Sequence, residues 1–158
     1  MVAYSFKKRF VEPIRVGLGY PPSVEAFAAG MDEFGNVHRP PPKRQTIRAI
    51  GKRRHARPGE TIQLYTGMRT RQCQAIGVAR CVAVIPIRIT VREHSIPVAL
   101  DGAHIGGGRL HDFARADGFA GAEDMLDFWK SEHGLGLFDG VLIRWEPFSQ
   151  AQLEAADD

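Results

Sequence analysis

The densest charge in this sequence lies between Pro41 and Cys81. Lys43, Arg44, Arg48, Lys52, Arg53, Arg54, Arg57, Arg69 and Arg71 stand there against Glu60 as the one acid. One carboxylate cannot pair with so many cations, and cations fixed on a folded surface bind phosphate. Tyr65 adds a ring on which a base can stack, as in single-stranded RNA recognition. Arg44, Arg48, Lys52, Arg53, Arg54, Tyr65, Arg69 and Arg71 are therefore the candidate contacts for RNA or another phosphate-bearing substrate.

The pattern around these residues says what must position them. Arg44 to Ala49 alternates, which predicts a strand with one wet face carrying Thr46 and Arg48. Gly51 to Gly59 reads as a cationic turn ending in Arg57-Pro58-Gly59-Glu60. Thr61 to Thr66 is the next strand, and Gly67 opens a loop carrying Arg69 and Arg71. Ala75 to Val91 is a long β-branched run, which Pro86 should bend or divide.

Upstream, Val2 to Phe6 predicts a first strand. A helix follows from Val11 or Glu12, with Pro13 in its first turn and Gly17 and Gly19 beyond it. Leu18 to Pro42, with its three consecutive prolines and a helical patch at Ser23 to Ala29, reads as a surface insertion. It is either a mobile loop or a lid or protein-partner contact. Downstream, Ile96 to Leu100 is a short strand turning at Asp101-Gly102. Helices are predicted at Arg109 to Ala116, closed by Gly118, and at Gly121 to His133, stopped by Gly134. Phe138 to Trp145 is a last strand, followed by a short tail or frayed helix. Successive strands without crossover helices predict a mostly antiparallel curved sheet or small barrel.

Length and composition bound the rest. The 158 residues suit one domain, 44% of them are apolar, and the formal charge is +3. No segment approaches the roughly 18 apolar residues of a membrane helix. The N-terminus lacks the apolar run of a signal peptide, so a cytoplasmic protein is expected. Cys73 and Cys81 read as reduced thiols, although one bridge between them is open. No zinc pattern is present. His104, His111 and Asp112 flank a glycine loop without a recognised metal spacing. Gly106 to Gly108 lacks the spacing of a dinucleotide site. Neither metal nor cofactor is expected.

Several pieces in order resemble the ASCH domain. They are Ser5-Phe6-Lys7-x-x-Phe10, Lys43-Arg44-Gln45-Thr46-Ile47-Arg48, and Arg57-Pro58-Gly59-Glu60 before a strand. Phe113-Ala114-x-x-Asp117-Gly118-Phe119, the Phe128-Trp129 helix and Val141-Leu142-Ile143-x-Trp145 complete the set. The resemblance implies an α+β fold, a PUA-like small, mostly antiparallel β-barrel with flanking helices. It implies a cleft taking RNA or a modified nucleoside. It also implies catalytic roles for Lys43, Thr46 and Asp117, with aspartate where the family's pattern has glutamate, in amide hydrolysis of an N4-acylcytidine-like nucleoside.

Physical chemistry permits that assignment. A threonine hydroxyl needs a base, and a lysine serves as one when burial or neighbouring cations lower its pKa. Asp117 could pass a proton to the leaving nitrogen, and Arg48 could stabilise an oxyanion. RNA cleavage by the basic residues and Tyr65 is the other hydrolytic reading. A non-catalytic RNA-binding module working with a protein partner is the alternative.

Overall fold

The computed structural model describes residues 2–157, and Asp158 of the acidic C-terminus lies outside them. The strands are β1 (Val2–Phe6), β2 (Gln45–Ala49), β3 (Thr61–Thr66), β4 (Gln74–Val91), β5 (Val98–Leu100), β6 (Ala103–Ile105) and β7 (Gly136–Glu146). The helices are α1 (Val11–Gly17), α2 (Val24–Ala29), α3 (Gly108–Ala116), α4 (Ala122–His133) and α5 (Gln150–Asp157). A single 3-10 turn, Lys8–Phe10, links β1 to α1.

All seven strands form one sheet. Its main path runs β1-β3-β4-β5-β6, and a branch joins β4 to β7 and β7 to β2. β4 and β7 are the spine, paired from Arg80↔Glu146 to Val91↔Gly136 with a register shift between Cys81 and Ala83. Pro86 does not divide β4. Its carbonyl accepts from the Asp101 amide at 2.8 Å, just past the end of the β4–β5 ladder at Ile87↔Leu100. A strand residue's N and O point to the same side, so the missing N–H falls where no ladder partner stands.

Two expectations are corrected here. The sheet is mixed, because β1 pairs with β3 in parallel, Val2↔Ile62 to Phe6↔Thr66. It is also open: among the described residues no ladder joins β1 to β2, so the PUA-like barrel expected from the ASCH resemblance is not formed. The fold is an open α+β sheet with helices packed on it. What crosses the seam is a side chain. Arg48 on β2 donates from Nη2 to the Ser5 carbonyl on β1 at 2.8 Å.

The core explains the order. Ile62, Leu64, Ile89, Leu142, Ile143 and Trp145 from the sheet are fully buried, and Ile14, Phe119, Met125 and Trp129 bring the helices onto them. Between α1 and β2, Ser23 caps α2 by accepting from the Ala26 amide at 3.1 Å. No residue of α2 is buried.

Candidate functional site

Lys43 enters the site because two helix ends meet its backbone. Its amide donates to the Pro13 carbonyl in α1, and the Arg44 amide donates to Ala116 at the end of α3, both at 2.9 Å. Gly17 permits the approach, since a Cβ there would lie 2.2 Å from the Lys43 carbonyl oxygen. Asp117 caps α3. The Phe119 amide returns to Ala114 and the Gly118 amide to Arg115, a Schellman turn that needs the left-handed Gly118. A Cβ on Gly118 would meet the Lys43 side chain and the Phe10 ring at 3.0 Å. The turn that ends the helix therefore also shapes the lysine's berth.

The result is a buried ion pair. Lys43 Nζ donates to the Asp117 carbonyl and stands 3.3 Å from Asp117 Oδ1. Lys43 is 3% exposed, Thr46 4% and Asp117 5%. The expected wet face of β2 is therefore dry at Thr46, and Gln45 on the opposite face is buried as well. Aromatic faces replace water around the cations. Lys43 Nζ lies 4.6 Å from the Phe10 centroid, and the Arg48 guanidinium 4.8 Å from Phe6 and 5.2 Å from Tyr4.

Burial sets the electrostatics. Desolvation pushes Lys43 below its ordinary pKa, against the pull of Asp117, and Arg48 and Arg9 push the same way. Desolvation pushes Asp117 up, against Lys43, Gln45 and Arg48. The two shifts run toward each other, so burial narrows the gap in proton affinity between the amine and the carboxylate.

Above the pair opens a cleft of about 340 Å³. Lys43, Thr46, Arg48 and Asp117 line it, with Phe6, Phe10, Phe119 and Phe128 as walls. Lys7 and Glu132 meet at its rim at 2.9 Å. Thr46 Oγ1 accepts from Arg48 Nε at 3.0 Å, so the hydroxyl orients the guanidinium.

The structure thus brings Lys43, Thr46, Arg48 and Asp117 together and disperses the other candidates. Arg48, Arg53, Arg54 and Arg69 line a neighbouring groove. Arg71 lines a third cavity with Lys7 and Lys8. Arg44 Nε donates to the Gly17 carbonyl at 3.1 Å, and Arg44, Lys52 and Tyr65 line none of these three cavities. His104, His111 and Asp112 form no metal-holding group among the described residues. Cys73 and Cys81 are free thiols. No described helix is long and apolar enough to cross a membrane. The aromatic walls were missed by residue-type reasoning, because an apolar side chain over a cleft looks like any core residue. Their signal was proximity to Lys43, which only folding creates.

No family model matches the chain, and no curated protein or solved structure shows detectable similarity to it. The ASCH resemblance does not survive the open sheet, and the ASCH-type activities drawn from it do not carry over: neither the N4-acylcytidine amidohydrolase, nor the ribonuclease, nor the RNA-binding module.

Proposed function

We propose that the cleft beside β2 is a small-molecule site. It takes one flat, hydrogen-bonding ring against the aromatic cluster that lines it, in which Phe10, Phe119 and Phe128 pack on one another, and the Lys43–Asp117 pair shares a proton with that ring. The observation that carries this reading is the burial of a lysine and an aspartate, nearly sealed from water, at the base of an aromatic cleft. Its volume lies at the small end of the range for ligand pockets, about 300–1,000 Å³. An apolar wall with a few converging polar groups is the arrangement such pockets share.

The pair suits proton exchange because its net charge need not change. One proton moves from Nζ to Oδ1, and ammonium–carboxylate becomes amine–carboxylic acid. A ligand edge carrying one donor and one acceptor can complete the circuit. A nucleobase has such an edge, so a free nucleoside is the partner we assign to the cleft. The reading requires no closed barrel and no bond cleavage. Thr46 serves as the support of Arg48.

The test is side-chain NMR of lysine-labelled protein titrated with cytidine, uridine, adenosine and guanosine. At least one should shift the Lys43 signal and the Asp117 to Phe119 amides. Its affinity should fall by about tenfold or more, a cost of roughly 1.4 kcal/mol, in a folded Lys43→Met/Asp117→Leu variant. Four nucleosides that all leave Lys43 unmoved at millimolar concentration would sink the proposal.

A further inference from the structure

Arg48 has a second side. The cleft and a groove of about 440 Å³ share Ser5, Arg48 and Ala49 in their linings, so the guanidinium stands between two adjoining cavities. The groove follows the open edge of β1 and is closed by the Arg53 to His55 turn and by Met68 and Arg69.

Its charge is unbalanced. Arg54 is satisfied, held by Glu60 through two contacts of 2.6 and 2.7 Å. Arg48, Arg53 and Arg69 make no ion pair among the described residues. Three guanidiniums without a carboxylate converge on one concavity. Arg69 reaches it from a left-handed backbone, φ 65°, where a side chain is disfavoured and glycine is the easier residue.

Another part of the lining is fixed. His55 Nε2 lies 2.8 Å from the Ala49 carbonyl, which can only accept, so that nitrogen carries the proton. In the neutral ring Nδ1 then accepts from the Tyr4 hydroxyl at 3.1 Å, and the Tyr4 oxygen accepts from the Ala56 amide at 3.0 Å. A rigid lining beside guanidiniums that no carboxylate neutralises suits a compact anion with several acceptor oxygens.

We infer that this groove binds a phosphate group, carried by the same ligand whose ring occupies the neighbouring cleft. Arg48 is the shared residue that sets the spacing between ring and phosphate. This deepens the nucleoside reading of the cleft and rests on it for the ring. The phosphate is the monoester of a nucleotide, and the diester of a single strand is the rival that the test separates from it.

Calorimetry with inorganic phosphate, the four nucleosides, their 5′-monophosphates and a 12-nucleotide single-stranded RNA separates these cases. A phosphate-bearing probe should bind about tenfold or more tighter than its own nucleoside, as charge-assisted contacts require. Arg69→Gly relieves the backbone and should leave the melting temperature no lower. It should still erase the gain from phosphate while sparing nucleoside affinity, and Arg53→Gln should do the same. Monophosphates as tight as RNA identify a nucleotide site. RNA that binds alone, with a log–log salt slope near −2 for about three phosphates, overturns the nucleotide assignment in favour of a strand. Phosphate-bearing probes that bind when nucleosides do not would uphold the groove and overturn the ring assignment. A nucleoside that binds with no gain from phosphate, or gain that survives Arg69→Gly, overturns the groove.

Discussion

Lys43–Asp117 and Arg54–Glu60 join the same charges in two settings, and their carboxyls move in opposite directions. Glu60 is in contact with water. Arg54 clasps it, the Arg57 amide donates to it at 2.8 Å, and its pKa falls to about 2. Asp117 is sealed away, and desolvation pushes its pKa up although a lysine sits beside it. Where water remains, hydrogen bonds to the charged form decide. Where water is excluded, the cost of holding charge decides. The first pair pins a turn. The second lines the cleft beside β2.

The largest effect should come from breaking the buried pair on one side. Asp117→Asn strands a buried ammonium and should cost about 3–5 kcal/mol in urea unfolding. The pH dependence gives the sign. Lys43 has a folded pKa below its unfolded value, so between the two the unfolded chain holds more protons. The variant should then regain stability as pH rises toward the ordinary lysine value. Lys43→Met should do the reverse. Asp117 is raised, the folded chain holds more protons above pH 3.8, and stability should fall as pH rises through that window. The double variant Lys43→Met/Asp117→Leu should recover most of either loss. If both single variants match wild type at every pH, the pair is not sealed and the contrast with Glu60 collapses.

A smaller effect sharpens the comparison by moving Lys43 without touching a charge. Gly17→Ala places a methyl group against the Lys43 carbonyl and should cost about 1–3 kcal/mol by overpacking. It should also shift the Lys43 side-chain resonance, while the Arg54–Glu60 turn keeps its amide spectrum. Thermal unfolding and NMR check the two parts.

The smallest effect belongs to the exposed pair. Glu60 has a folded pKa below its ordinary 4.5, so its contribution is present above that value and is lost as pH falls toward 2. Arg54→Gln should flatten this part of the acid-unfolding curve and leave stability at pH 7 nearly unchanged. A large loss at neutral pH would show that the turn, rather than the ion pair, depends on Arg54.

Much of this was written in local pattern. The alternation in Arg44 to Ala49 placed Thr46 and Arg48 on one face, and both line the cleft. Gly118 after α3 and Gly134 after α4 mark helix ends, and each has positive φ in the structure. These features are legible because backbone conformation and side-chain direction are set within a few residues. The dryness of Thr46 was not legible, since the cleft it lines is built with Phe10 and Phe119, residues far away in sequence. Pro86 likewise misled until the position of β5 showed that its missing donor had no partner to lose.

The sequence by itself determined most of the strands and helices, though not β6 or the continuity of β4 through Pro86, together with the cationic stretch and the candidates Lys43, Thr46, Arg48 and Asp117. Tertiary structure alone decided that β1 runs parallel to β3, that the sheet stays open beside β2, and that Arg48 bridges the seam. It also decided which cations share a groove. The physical reason is common to all of these. Ladder hydrogen bonds join backbone groups that every residue carries, so pairing leaves no residue-specific mark. Burial, which moves the pKa of Lys43 down and that of Asp117 up, is a property of what surrounds a side chain and not of the side chain itself.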